Sequence, residues 1–150
     1  MKIWIDNDGC PRIVRDHVFK MALKRQVQVV VVANTFFHAP SARVEVVVVS
    51  GDFNAADDHI AEQVGAGEIV ITSDVPLADR IVSSGAIAIN SKGEIFDSSN
   101  IKEKLAMRDL SHELRGAGMI RQGGHPLSQR DFGSFANAFD RILTKLSRQI

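Results

Sequence analysis

Lys2-Ile3-Trp4-Ile5-Asp6-Asn7-Asp8 opens the chain with an apolar β-run that ends on carboxylates. The same construction returns at Ile69-Val70-Ile71-Thr72-Ser73-Asp74, and the valine run Val46-Val47-Val48-Val49 leads on to Asp57-Asp58. In an open α/β sheet the strand ends at one edge form the ligand crevice. Carboxylates gathered there repel one another unless a cation holds them, and hard oxygen donors suit Mg²⁺ or Mn²⁺. The chain therefore reads as an α/β domain with an acidic metal pocket.

The neighbouring sequence supports a sheet of that kind. Strands are predicted over residues 2–6, 27–33, 44–49, 68–72 and 86–90, the second and third being valine-rich and apolar on both faces, as buried parallel strands are. Pro11 fits a first helical turn, and Val14, Val18, Met21 and Ala22 follow at helical spacing. Short helices are predicted over 57–64, closed by Gly65 and Gly67, and from Asp74-Val75-Pro76 to about residue 84, before Gly85. The alternation predicts a three-layer α/β sandwich with a mainly parallel five-stranded sheet. With strand order 3-2-1-4-5, strands one and four meet at the switch point, and Asp6 and Asp74 flank one crevice.

Beyond residue 97 the pattern turns helical. Ile101, Leu105, Leu110 and Leu114 mark one amphipathic helix. Ser128 with Asp131 resembles a capping box, and Phe132, Phe135, Ala136, Phe139, Ile142, Leu143 and Leu146 form a stripe read as core packing, with a homodimer interface as the alternative. Between these helices lies a basic loop with Gly116, Gly118, Gly123 and Gly124, Arg115, Arg121 and His125; a loop of that length is either mobile or functional. The 150 residues are read as a single domain, with an α/β core over 1–97 and a helical extension over 98–150.

Composition sets limits. Hydrophobic content of 45% and charged content of 24% are those of an ordinary globular protein. A lone cysteine, Cys10, excludes an intrachain disulfide and a cysteine-based zinc site. It suggests a reducing compartment. The N-terminus lacks the uncharged apolar region of a signal peptide, and no apolar stretch approaches the ~20 residues of a membrane span. A cytoplasmic protein with no membrane partner is the expectation. Net charge is zero, yet residues 1–97 carry a balance of −4 and residues 98–150 one of +4. Either the two regions complement each other or an acidic pocket lies beside a polyanion-binding surface.

Asp6 ends a strand directly, where an unpaired buried carboxylate is costly, and a metal role is its best reading. Asp8 either joins it or caps the helix near Pro11. Asp57 and Asp58 open a helix whose dipole favours negative charge, which explains one of them better than two. Asp74 suits an N-cap but also follows a β-run, and Asp79 reads as solvated. Three or four such carboxylates suit one or two Mg²⁺ ions in phosphodiester hydrolysis. Arg108, Arg115, Arg121 and Arg130 are the candidate phosphate contacts, since arginine pairs bidentately. Phe36-Phe37-His38 is either an exposed platform for a base or packed against the sheet edge. Cys10 reads as a small turn residue, because Asp6 and Asp8 raise a thiol pKa.

Asp6-Asn7-Asp8-Gly9-Cys10-Pro11, Val32-Ala33-Asn34, Gly51-Asp52-Phe53-Asn54-Ala55-Ala56-Asp57-Asp58 and Ile71-Thr72-Ser73-Asp74-Val75-Pro76-Leu77-Ala78 resemble the YaiI/YqxD family of uncharacterised bacterial proteins. Asn90-Ser91-Lys92-Gly93-Glu94 and Pro126-Leu127-Ser128-Gln129-Arg130-Asp131 with Phe135 fit it too, so the resemblance covers nearly the whole chain. The family in turn resembles PIN-like domains, metal-dependent ribonucleases with an acidic cluster at this sheet edge. The resemblance implies a PIN-like fold, Mg²⁺ or Mn²⁺, and RNA as partner. It implies catalytic roles for Asp6, Asp57 or Asp58, and Asp74. Metal ligation is expected of Asp6, Asp8, Asp58 and Asp74, and substrate contacts of Asn34 and Ser73. Where the family usually has Ala at positions 7 and 9, this chain has Asn7 and Gly9; in an extended strand Asn7 points off the face opposite to Asp6.

Two rival readings stand beside this one. Asp6-Asn7-Asp8-Gly9 also resembles the start of a haloacid dehalogenase-type phosphatase, with Asp6 as nucleophile and Asp8 as acid. That enzyme needs a lysine, for which only Lys20 and Lys24 are placed, and it leaves Asp74 without work. The other rival is a non-catalytic RNA- or protein-binding module with a vestigial pocket.

Overall fold

The computed structural model describes residues 1–52, 54–116 and 126–147. In chain order the elements are β1 (Lys2–Asp6), α1 (Arg12–Arg25), β2 (Gln28–Ala33), β3 (Val44–Val48), α2 (Ala55–Gln63), β4 (Ile69–Ile71), α3 (Val75–Ser83), β5 (Ile87–Ile89), β6 (Ile95–Phe96), α4 (Ile101–Gly116) and α5 (Gln129–Ser147). The sheet runs β3-β2-β1-β4-β5-β6. Its first five strands are parallel, in the order expected, and β6 is an antiparallel edge.

The sixth strand corrects the five-strand expectation. Its two residues are too short to show a period. They are brought back by a turn in which Asn90 Oδ1 accepts from the Lys92 and Glu94 amides at 3.0 and 2.9 Å. Gly93 completes the turn at φ 85°, a conformation open to glycine.

Side-chain alternation along the strands makes the layers. Ile3 and Ile5 of β1, with Val29, Val31, Ile69, Ile71 and Ile89, pack against α1 and α5, where Phe135, Phe139 and Leu143 are fully buried. The stripe on α5 is thus core, and this helix forms an outer layer of the sandwich together with α1. Trp4, Val30, Val32, Val70 and Ala88 face the other way, onto Ile60 of α2, Leu77, Ala78 and Ile81 of α3, and Ile101 of α4. The arrangement agrees with a three-layer, PIN-like sandwich. No helix among the described residues is long and apolar enough to cross a membrane.

Register fixes the crevice. Asp6 is opposite Val32 of β2, and Ile5 opposite Ile71 of β4. Asp6 therefore ends its strand beside Thr72, the residue after β4.

Candidate functional site

Asp6 shares its face of β1 with Trp4, and only 6% of it is exposed. Its Oδ2 accepts a hydrogen bond from the Thr72 hydroxyl at 3.1 Å. Its Oδ1 is buried and has no hydrogen-bond partner among the described residues. The Thr72 Oγ1 in turn accepts from the Asp74 amide at 3.0 Å, so one hydroxyl ties two of the candidate acids together. Burial pushes the Asp6 carboxyl up to about 7; the Thr72 hydrogen bond opposes this, while Asp57, Asp8 and Asp74 add to it.

Asp74 is the N-cap of α3. Its Oδ1 accepts from the Leu77 amide at 3.0 Å, and Val75-Pro76 start the helix. Capping and a pocket role coexist, because one oxygen caps while the carboxyl also lines the cavity. Asp57 lies within hydrogen-bond reach of Asp74. Its pKa is raised by burial first and by Asp74 next, with Arg80 opposing.

The sequence offered both Asp57 and Asp58 as catalytic candidates and, of the two, Asp58 alone as a metal ligand, and the fold separates them the other way. Helix α2 begins at Ala55, two residues ahead of expectation, after Asn54 in a left-handed conformation. Consecutive helical residues point about 100° apart, so Asp57 faces the cavity. Asp58 turns outward, is exposed, and pairs with Arg80 at 2.8 Å. Asp58 is therefore not brought into the pocket, contrary to its expected part in catalysis and metal ligation.

The cavity measures about 410 Å³ and opens at the C-terminal edge of the sheet. Asp6, Asp8, Asp57 and Asp74 line it, with Asn34 and Ser73 as expected and Arg108 reaching in from α4. The N-cap position of α1 is Pro11, which has no capping side chain, and Asp8 faces the cavity instead. The β3–α2 loop adds Ser50, Asp52 and Asn54; Asp52 and Asn54 belong to the Gly51-Asp52-Phe53-Asn54 motif, whereas Ser50, just before it, carried no signal in the sequence. Ser50 Oγ donates to Asp52 Oδ2 at 3.2 Å, which braces the loop.

Arg130 is exposed at the start of α5 and does not line the cavity. It opens α5 beside the capping box of Ser128 and Asp131, so a phosphate contact from Arg130 would lie outside the cavity lining. The Arg115 side chain, Arg121 and His125 lie outside the described residues.

Asn7 does leave the opposite face, where its Oδ1 accepts from Arg15 of α1 at 3.1 Å. Cys10 is half-buried and its thiol is pushed up to about 12, by burial first, with Arg15 opposing and Asp6 adding. Burial thus disfavours the thiolate that a nucleophilic cysteine needs.

The donor set suits a hard divalent cation, being all carboxylate oxygen, and the orphaned Asp6 Oδ1 is an acceptor with nothing to accept from. No three acidic, histidine or cysteine side chains among the described residues converge as a ready-made ligand set. Asp57 and Asp74 face each other instead.

A family model described as the uncharacterized BCR, YaiI/YqxD family matches residues 4–145. A UPF0178 protein of Ectopseudomonas mendocina (strain ymp) is 50% identical over 149 residues, spanning 99% of this chain and 100% of its own. One from Pseudomonas fluorescens (strain SBW25) is 47% identical over 150 residues, 99% of each chain. One from Stutzerimonas stutzeri (strain A1501) is 46% identical over 149 residues, again 99% of each. No solved structure matches.

Proposed function

The chain belongs to the uncharacterized YaiI/YqxD family, and from the site itself we propose a Mg²⁺- or Mn²⁺-dependent nuclease that hydrolyses phosphodiester bonds, with RNA as substrate. The observation that carries this reading is the buried Asp6 carboxylate, with one oxygen unpartnered, among three further carboxylates on one cavity. Asp6, Asp8, Asp57 and Asp74 are the residues that would hold the metal. When bound, it supplies an activated water and offsets charge on the phosphate.

The chain's own residues do the rest. Thr72 fixes Asp6 through its proton and Asp74 through its lone pair. Capping holds the Asp74 carboxyl still. Asp57, raised by burial and by the neighbouring Asp74, holds a proton that eases the repulsion and that a bound cation would displace. Arg108 pairs with a substrate phosphate, and Asn34 and Ser73 hydrogen-bond phosphate or sugar oxygens, contacts that position a nucleic acid without reading its sequence.

The aspartyl-phosphate alternative loses support because Lys20 and Lys24 belong to α1, on the opposite face of the sheet. The non-catalytic module draws support from the unconverged ligand set. Calorimetric titration of Mn²⁺ into the wild type and into an Asp6→Asn/Asp74→Asn double variant, followed by RNA cleavage with Mn²⁺, decides between them. Saturable binding lost in the variant, with cleavage, is expected. Folded wild type that neither binds nor cleaves would leave the non-catalytic module.

A further inference from the structure

We propose that Phe36 and His38 form a base-stacking subsite, on which an unpaired nucleobase packs while the phosphate of the same strand lies at the acidic cavity. The inference rests on the nucleic-acid reading of that cavity. A single exposed apolar ring needs no explanation, but this one differs in three respects.

First, it is paired. Phe36 is 62% exposed, and His38, also exposed, meets it edge to face at 5.6 Å and 81°. The two rings pack edge to face within an exposed stretch that also holds the polar Asn34 and Thr35, so the apolar surface offered is a ring pair rather than a broad patch.

Second, its base is anchored. Phe37 is half-buried, with the Arg15 guanidinium 4.6 Å from its ring centre and Phe19 at 6.5 Å. Arg15 also donates to Asn7 Oδ1, between Asp6 and Asp8. One arginine thus locks the aromatic loop to the acidic turn, so the ring is presented by a braced segment. Ordering it on binding then has little further entropy to cost.

Third, it stands beside the cavity. Asn34, two residues before Phe36, lines it. Val32 is paired with Asp6 across neighbouring strands, and four residues of extended chain carry Phe36 no further than about 14 Å from Val32. A strand a few nucleotides long covers that reach. Stacking on an aromatic face tolerates every base and requires it to be unpaired. The subsite would therefore select single strands over duplexes without sequence preference.

Trp4, the chain's one tryptophan, is buried, so Phe36→Trp installs an exposed reporter. The probe is a phosphorothioate octaadenylate RNA with Mn²⁺, compared with its duplex and with an abasic strand of equal length. Phe36→Trp is expected to keep wild-type affinity, with indole emission quenched by the single strand alone. Phe36→Ala is expected to weaken single-strand binding about tenfold and to leave the abasic strand unaffected. Equal affinity in Phe36→Ala and wild type, equal quenching by the abasic strand, or no oligonucleotide binding by the wild type would overturn the subsite. Cleavage of unmodified RNA is read separately. Cleavage without a Phe36 effect on binding removes the subsite only, and stacking without cleavage under any metal removes the nuclease reading only.

Discussion

Asp6 holds a charge where the fold disfavours one. Its carboxyl ordinarily titrates near 3.8 and is raised to about 7 here, chiefly by burial. The folded protein thus binds this proton more tightly than the unfolded chain does, and rising pH erodes stability between those two values. Below about 4 the contribution is fully present; above about 7 the loss is complete. Three pKa units correspond to about 4 kcal/mol at most. Asp6→Asn keeps the acceptor for Thr72 and removes the charge. The variant should match wild type in thermal midpoint at pH 4 and exceed it increasingly up to pH 7.5, as differential scanning calorimetry across that range would record. A constant offset at every pH would mean that burial of this charge is not what shifts the carboxyl. That a strand-end aspartate would stand at the crevice was legible in the sequence. That one of its oxygens would be orphaned was not, because this depends on where the Thr72 hydroxyl points.

At the scale of elements, α3 shows how one residue serves helix and pocket together. Asn caps as well as Asp, so Asp74→Asn should leave the midpoint nearly unchanged while abolishing Mn²⁺ binding and RNA cleavage. Asp74→Ala should lose both and a further ~1 kcal/mol of stability from the missing cap, seen in urea unfolding. A folded Asp74→Asn protein with full metal-dependent activity would remove Asp74 from the mechanism. The β5–β6 turn makes a different demand. A Cβ on Gly93 would fall 2.6 Å from the Ser134 carbonyl oxygen and 2.9 Å from the Phe135 amide, at φ 85°. Both obstacles are backbone, so Gly93→Ala should cost roughly 2–4 kcal/mol and lower the midpoint by roughly 5–15 °C. Helix α2 marks the limit of what periodicity conveys. The Asp57-Asp58 pair was visible, but which of the two faces inward depends on a helix start displaced by two residues, set by the left-handed Asn54.

Across the whole molecule, the strand order and the meeting of β1 with β4 were readable because valine and isoleucine runs left little choice of partner, and the α5 stripe declared itself as core. The charge asymmetry is met in part within the chain: Lys102 pairs with Asp79 and Lys104 with Glu94, each a base of the extension on an acid of the α/β core. What the sequence could not convey was the set of atoms brought to one cavity from β1, the β4–α3 turn, α2, α4 and the β3–α2 loop, since no local pattern encodes side-chain direction across elements. On the proposed reading, that convergence would make metal binding, protonation and stability one linked equilibrium. A cation saturating the site at a hundred times its dissociation constant adds about 2.7 kcal/mol, which for a chain of this length is about 5–10 °C in midpoint. Because Asp6 and Asp57 are both raised, loading must expel protons, and affinity must climb as pH rises toward and through 7. Calorimetric titration of Mn²⁺ at pH 6 in two buffers of different ionisation enthalpy should count about one proton released per ion, falling toward zero by pH 8.5. Tight binding with no proton released at pH 6 would place the cation elsewhere than on these carboxylates.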